Sequence, residues 1–160
     1  MLVFVLCSAG GFACWPAMEY FVHGILSHRL RTFVSPLHWV HHVDERRVRT
    51  SPSAWVPAAA AIFGLLALVA GAAASGAFVG GLVAGFLRYE HVHWRIHFRE
   101  PGSERERRRR LHHLSHHYVN PHAYHGVTTR LFDRLFGTLP PGHAADYERV
   151  SAIPVLGRLS

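Results

Sequence analysis

Residues 111–129 read LHHLSHHYVNPHAYHGVTT, and six of these nineteen positions are histidine. Three shorter clusters precede this stretch: HGILSH at residues 23–28, HWVHH at residues 38–42 and HWRIH at residues 93–97. One apolar run lies before the first cluster, and a second lies between HWVHH and HWRIH. We therefore expect the rest of the chain to be a scaffold that brings the four histidine clusters together.

The first apolar run is long enough to cross a membrane. Hydrophobic residues make up 49% of the 160 residues. Residues 2–22 are apolar apart from Ser8 and Glu19, and a helix of this length crosses a hydrocarbon core of about 30 Å. No basic segment precedes the run and no cleavage site follows it, which argues against a signal peptide. Because the run begins at Met1, the sequence leaves open whether a further segment precedes it.

The second apolar run, residues 55–87, contains no charged residue. As one straight helix it would be about 50 Å long, which exceeds the thickness of the hydrocarbon core. Small residues favour a hairpin of two closely packed helices, 55–72 and 75–90, with a tight turn between Gly71 and Gly76. The predicted fold is all-α: an integral membrane protein, residues 1–160 as a single domain. It has about three transmembrane helices and a histidine-rich helical cap made of segments 23–54 and 91–160.

The charge pattern predicts which side of the membrane carries the cap. The formal net charge is +7, every strongly basic residue is arginine, and the arginines flank the apolar runs. This pattern is typical of the cytoplasmic side of membrane proteins, so we expect a cytoplasmic cap and no nucleic-acid partner. The absence of lysine and the heavy use of alanine and glycine are typical of a GC-rich bacterial genome, which predicts the bacterial cytoplasmic membrane.

The histidine spacings predict metal ligands. Residues three or four apart share a face of a helix, whereas adjacent residues diverge by about 100°. A helix with the pattern HxxHH, which occurs at residues 38–42 and 113–117, can therefore offer imidazoles to two neighbouring ions. The i, i+5 pair His23 and His28 diverges further, so we expect one of them beyond a helix end or on a bend. The predicted ligands are His23, His28, His38, His41, His42, His93, His97, His113, His116 and His117.

Ten imidazoles shared between two ions are five each, which leaves a sixth octahedral position open for oxygen or a bridging water. Imidazole suits iron, zinc, copper or nickel, so ligand type alone does not choose the metal. His122 and His125 lie close enough to the last cluster to be an extra ligand or to shape a substrate mouth. Glu90 and Asp133 are the nearest candidates for orienting the second ring nitrogen of a ligand; Glu19 and Asp44 are weaker ones.

Two segments around the last cluster have simpler patterns. The arginine-rich run at residues 104–110 predicts a helix that faces solvent or lipid headgroups, or alternatively docks an acidic electron carrier. RLFDRLFGTLP, from residue 130, places Leu131, Phe132, Leu135 and Phe136 at helical spacing. With Asp133 outside this apolar face, it predicts a short amphipathic helix that closes over the site or lies on the bilayer.

The ordered set HGILSH, HWVHH, YEHVHWRIH and HHLSHH, followed by YHGVTTRLFDRLFGT, resembles the fatty acid hydroxylase and sterol desaturase superfamily of membrane-bound di-metal oxygenases. The resemblance covers about residues 19–138. It implies that the ten histidines hold two metal ions, with iron expected and zinc possible in a purified form. It also implies that these metals activate O2 to hydroxylate or desaturate an unactivated C–H bond of a lipid chain drawn from the bilayer.

The resemblance also implies an external electron donor, because the chain contains no haem or flavin motif. A cytochrome b5-like protein or a ferredoxin with its reductase fits this role. One departure from the family pattern is His125, which occupies a position that is usually aromatic in the fatty acid hydroxylase branch.

Two other functions stay open at this point. The chain length is close to that of carotenoid hydroxylases, so a carotenoid or sterol-type hydroxylase or desaturase is an alternative. A non-catalytic membrane metal-binding or transport protein is an alternative of another class. The lack of ionisable residues between residues 55 and 87 counts against transport.

Overall fold

The computed structural model describes residues 1–30 and 32–157, and the regular elements in these ranges are all helices joined by loops. The elements are α1 (Leu2–Tyr20), a π-helical segment (Phe21–Arg29), α2 (Val34–Val43), α3 (Pro52–Ala70), α4 (Ala72–Phe98), α5 (Glu104–Tyr118), α6 (Leu131–Leu135) and α7 (His143–Val150). No strand occurs in these two ranges, and the all-α prediction is confirmed. Within the predicted cap segments, residues 31 and 158–160 lie outside the described residues.

Three helices are long and apolar enough to cross a membrane, and their ranges are Leu2–Arg29, Pro52–Ala70 and Ala72–Phe98. The number of spans agrees with the prediction, but the boundaries differ. The first helix continues past residue 22 to Arg29, and α4 continues past residue 90 to Phe98. The hairpin turn consists of Gly71 alone, because its φ of 76° lets a glycine reverse the chain in one residue.

The closest backbone approach in the membrane region joins α1 to α4. A Cβ atom on Gly81 would lie 2.0 Å from the carbonyl oxygen of Ser8, and one on Gly11 would lie 2.0 Å from that of Phe78. The sequence predicted that the small residues of the hairpin serve the contact between α3 and α4. Gly81 instead packs against the backbone of Ser8 and Phe12 in α1.

The end of the first long helix is wound as a π-helix. The amide of Leu30 donates to the carbonyl of Ile25 over 2.8 Å, which is the i→i+5 bond of this helix type. A wider turn places residues five apart on one face. His23 and His28 therefore both lie inside one helical segment, which corrects the expectation that one of them lies beyond a helix end or on a bend.

The cap is built on α5. Its first turn is capped by Ser103, whose side chain accepts from the amide of Glu106 over 3.3 Å. Leu111 and Leu114 of α5 pack against Val150 of α7 in a small apolar core. On other faces of α5, His113 contacts His93 of α4 and His116 contacts His23 of the π-helical segment.

The short helix α6 faces its acidic residue inward, which fits the second of the two predicted roles, a helix that lies on the bilayer. Asp133 is fully buried, whereas Leu131 and Leu135 are 59% and 67% exposed. Asp133 is drawn inside because its carboxylate accepts hydrogen bonds from the amides of His125 and Gly126, both at 2.8 Å. The exposed leucines leave an apolar face that suits contact with a bilayer.

Candidate metal centre and its apolar cavity

The ten predicted ligand residues form two groups of five. In each group, one ring nitrogen per residue lies within 4.8 Å of the others. Group A takes its residues from the π-helical segment, α2 and α5, and consists of His23, His28, His38, His42 and His116. Group B takes its residues from α2, α4 and α5, and consists of His41, His93, His97, His113 and His117.

Both HxxHH patterns divide their histidines between the two groups. His38 and His42 of α2 belong to group A, whereas His41 belongs to group B. The same helical geometry on α5 sends His116 to group A and His113 with His117 to group B. Residues four apart share a face, and the adjacent residue diverges from them. The two groups consequently lie side by side, and the rings of His42 and His117 stack at 4.3 Å.

The nitrogen spacing fits octahedral metal coordination. A metal–imidazole bond of about 2.1 Å puts adjacent nitrogens of an octahedron about 3.0 Å apart and those of a tetrahedron about 3.4 Å apart. The Nε2 atoms of His23 and His116 are 3.0 Å apart, and those of His93 and His113 are 2.9 Å apart. The same contact between His38 and His42 measures 2.9 Å. A bound cation would accept the lone pairs of these converging nitrogen atoms.

One ring in each group lies next to all the others. The centroid of His28 is between 4.5 and 5.4 Å from those of the other four rings in group A. His97 is between 4.9 and 5.2 Å from those in group B. Each group thus has one ring, His28 in group A and His97 in group B, that lies close to the other four.

Burial lowers the pKa of three of the cap histidines, His41, His42 and His116, and so favours the neutral form that binds metals. It lowers the pKa of His41 to about 2 and that of His42 to about 3, and the neighbouring His117 contributes further to both. The pKa of His116 is also well below its ordinary value, first because of burial and then because of His23. A neutral imidazole offers its lone pair without first losing a proton.

A cavity of about 540 Å³ lies against both groups. Its floor includes four rings, two from each group, and its walls are mostly apolar side chains of α1, α2, α3 and α4. The four rings are His23, His38, His41 and His93. The cavity extends along the membrane helices to Ile62 and Val83, and the loop residues Arg49 and Ser51 line another part of it. It has the size and the lining of a small-molecule site.

The sequence model of the fatty acid hydroxylase family matches residues 8–138, a range that contains every ring of groups A and B. The chain belongs to the fatty acid hydroxylase family. The resemblance drawn from the order of the histidine boxes is thereby confirmed. Family membership and the three long apolar helices make this chain a membrane protein.

Named relatives agree with the family. The chain is 30% identical over 146 residues to dihydroceramide fatty acyl 2-hydroxylase FAH2 of Arabidopsis thaliana, with 86% of this chain and 62% of that protein covered. It is 29% identical over 150 residues to fatty acid 2-hydroxylase of Rattus norvegicus, with 84% and 39% covered. The solved structure of full-length scs7p, in which only the hydroxylase domain is visible, matches with a TM-score of 0.73 at 27% identity. That match covers 86% of this chain and 56% of the other. The chain thus spans less than two thirds of each protein.

Four of the second ring nitrogens lie close to acceptors that the sequence did not identify, whereas Nδ1 of His41, His93 and His113 makes no hydrogen bond to any described residue. Nδ1 of His97 lies 3.1 Å from Oε2 of Glu45, and Nδ1 of His117 lies 3.3 Å from Oε1. In group A, Nδ1 of His23 lies 2.6 Å from the carbonyl oxygen of His125, and Nδ1 of His116 lies 2.8 Å from that of Ala123. Its position directly after the HWVHH helix is the sequence feature that could have identified Glu45 as a partner of these rings.

The predicted orienting residues make other contacts. Glu90 accepts from the amide and the hydroxyl of Thr50, at 3.2 and 2.8 Å. Asp133 lies 2.9 Å from Nε2 of His112, which belongs to neither group. Glu19 accepts from the amides of Val127 and Thr128. These carboxylates hold the backbone and buried side chains around the site, because buried charges need partners wherever they lie.

His122 and His125 are outside both groups and do not line the cavity. His122 is exposed. His125 is fully buried, and its ring lies 5.5 Å from that of His116. Burial lowers the pKa of His125 to about 4, against an opposing influence of Asp133. The structure thus places both residues outside the two groups, and a role as an extra ligand or part of the substrate mouth stays a prediction.

Proposed function

We propose that this chain is a membrane-bound, O2-dependent di-iron hydroxylase of lipid acyl chains. The observation that carries the proposal is the position of the two five-histidine groups at the floor of an apolar cavity. The names of the relatives in Arabidopsis and rat support acyl chains as the substrate. When bound, a pair of iron ions would supply the O2 chemistry that oxidises an unactivated C–H bond.

The residues of the chain would bind and orient the reactants. Five neutral imidazoles in each group would hold an ion and leave one octahedral position free of protein. His23, His38, His41 and His93 face the cavity, so a substrate carbon would reach the metals from that side. The apolar walls would limit water at the floor, which reduces side reactions of a strong oxidant.

The lining of the cavity also supports attack near the polar end of the substrate. The polar residues Arg49, Thr50 and Ser51 line it beside the cap, whereas Ile62 and Val83 line it within the membrane helices. A lipid would place its head at the polar end and its tail along the helices. Both relatives are named 2-hydroxylases, and we propose the carbon next to the carbonyl as the position attacked.

The arginines support a cytoplasmic cap. Every arginine lies at residue 29 or beyond, and none lies between residues 50 and 87. Positive charge therefore flanks only the cap ends of the spans, as expected of the cytoplasmic side. We propose that the cap lies in the cytoplasm of a bacterium. There it would receive electrons from a cytochrome b5-like protein or from a ferredoxin and its reductase.

The test is lipid mass spectrometry of cells that express the chain, combined with metal analysis of the purified protein. We expect acyl chains that are heavier by one oxygen atom, and about two ions per chain. His41→Ala and His116→Ala should each abolish the product and lower the metal content. His91→Ala is the matched control, because His91 is exposed on α4 and belongs to neither group.

Other outcomes identify the competing functions. Loss of two hydrogens would indicate a desaturase, and an oxidised carotenoid in a carotenoid-producing host would indicate the carotenoid-type alternative. Zinc binding without O2 consumption under any reductant would indicate a non-catalytic metal protein. Full turnover of both alanine variants would overturn the assignment of groups A and B.

A further inference from the structure

Glu45 contacts two histidines of group B at once. Oε2 lies 3.1 Å from Nδ1 of His97 with hydrogen-bond geometry, and Oε1 lies 3.3 Å from Nδ1 of His117, a close contact without that geometry. These two rings belong to different helices, α4 and α5, and Glu45 itself follows α2. The carboxylate therefore joins all three helices that supply group B. Its side chain is only 15% exposed, so water screens its charge weakly.

Group A has a different kind of partner. The second nitrogens of His23 and His116 lie 2.6 and 2.8 Å from backbone carbonyl oxygens of the loop after α5. A carbonyl is a neutral acceptor. A carboxylate carries a full negative charge and forms hydrogen bonds roughly twice as strong as those of neutral groups. The two groups thus have the same number of imidazoles, but a negatively charged carboxylate lies beside group B and neutral carbonyls lie beside group A.

The charge difference has a consequence for the metals. A carboxylate that accepts from the second nitrogen of a ligand imidazole fixes its orientation and raises its basicity, and loss of such a partner weakens metal affinity by about 10- to 100-fold. We infer that the two metal positions are not equivalent, and that Glu45 is a positioning residue that makes group B the tighter of the two sites. The inference rests on the proposed function only in requiring two bound ions.

No other carboxylate near α2 can take this role. Asp44 is exposed and pairs with Arg47 at 3.4 Å. Glu90 is held by Thr50. Among the residues that the structure describes, the carboxylate within 4.0 Å of ring nitrogens of groups A and B is that of Glu45. Asp44→Asn is therefore a matched control, since it removes one charge from the adjacent residue without touching a ring.

The experiment is a Co²⁺ titration of the purified full chain after chelation. The d–d absorption of Co²⁺ follows occupancy, and elemental analysis counts the ions. For the unaltered protein we expect two ions with different affinities. Glu45→Gln should weaken the tighter site about 10- to 100-fold and leave the weaker site unchanged. Asp44→Asn should match the unaltered protein. Glu45→Asp keeps the charge on a shorter side chain and should fall between the unaltered protein and Glu45→Gln.

The outcomes separate this inference from the proposed function. Equal affinities in the unaltered protein, or an equal effect of Glu45→Gln on both sites, would overturn the inference and leave the di-metal proposal standing. Failure of the unaltered protein to bind two ions would instead overturn the di-metal proposal. If Glu45→Gln does not fold, Glu45→Asp decides the inference, since affinities identical to those of the unaltered protein at both sites would contradict it.

Discussion

At the scale of single residues, His125 and His112 are a contrasting pair. Both are fully buried. His112 has a partner for each ring nitrogen, Tyr147 at 2.8 Å and Asp133 at 2.9 Å. Neither ring nitrogen of His125 makes a hydrogen bond to any residue that the structure describes. The ring fits against the backbone of Gly24, where a Cβ atom would lie 2.8 Å from it.

His125→Phe tests what this imidazole does. A buried polar group without a partner costs about 1–3 kcal/mol, so an apolar ring of similar shape should raise the free energy of unfolding by a comparable amount. We expect the metal content to stay the same, because His125 belongs to neither group. Denaturant unfolding in detergent and elemental analysis measure both quantities.

His112→Phe is the control for this substitution. It should lower the free energy of unfolding, because it removes a hydrogen-bond partner from the buried carboxylate of Asp133. If His125→Phe lost an ion, His125 would be a ligand after all, and the assignment of five rings to group A would be wrong.

At the scale of elements, the helix type decides which residues share a face. On an ordinary α-helix, the pattern HxxHH divides its histidines between two neighbouring groups, and both α2 and α5 do so. His23 and His28 share a group because the chain between them is π-helical. Sequence spacing predicted the first case and not the second, since nothing in the residues 21–29 distinguishes a π-helix from an α-helix that ends early.

Packing of α1 on α4 gives a prediction at the same scale. Gly81→Ala should force the two helices apart, because its Cβ would overlap the backbone of Ser8. Since α4 carries His93 and His97, we expect lower thermal stability and weaker binding at group B. Melting temperature and Co²⁺ affinity measure the two effects.

Gly80→Ala is the matched control on the same helix. A Cβ on Gly80 would meet no atom within 4 Å, and alanine favours a helix over glycine by about 0.5–1 kcal/mol. This variant should be neutral or slightly more stable. Equal destabilisation by both alanines would show that the loss of stability does not come from the close approach of α1 and α4 at Gly81.

At the scale of the whole molecule, the cavity combines four helices and both metal groups. Under the proposed function, its length along α3 and α4 should set the length of the acyl chains that it accepts. Ala59→Phe would fill part of it, because Ala59 lies in the lining. We expect the products to shift towards shorter acyl chains while the metal content stays the same. Mass spectrometry of the lipid products measures the shift.

Ala60→Phe is the control at the next position of α3. Ala60 is exposed and does not line the cavity, so the product profile should not change. An unchanged profile for Ala59→Phe as well would contradict the assignment of this cavity to the acyl chain.

The sequence by itself determined the three apolar spans, the all-α class and the family. It also determined the ten candidate ligands, because helical periodicity and long apolar runs are local properties of the chain. The division of the histidines of α2 and α5 between two groups followed from the same periodicity. These features need no knowledge of how distant segments pack.

Only the tertiary structure decided which polar side chains contact each other when they belong to different helices. It placed Glu45, and not Glu90 or Asp133, beside ligand rings, because α2, α4 and α5 meet behind group B. It turned Asp133 inward to bind the loop that carries His125, and it set that ring outside both groups. The physical reason is that the burial and the hydrogen-bond partner of a polar side chain depend on neighbours far away in the sequence, which residue spacing does not encode.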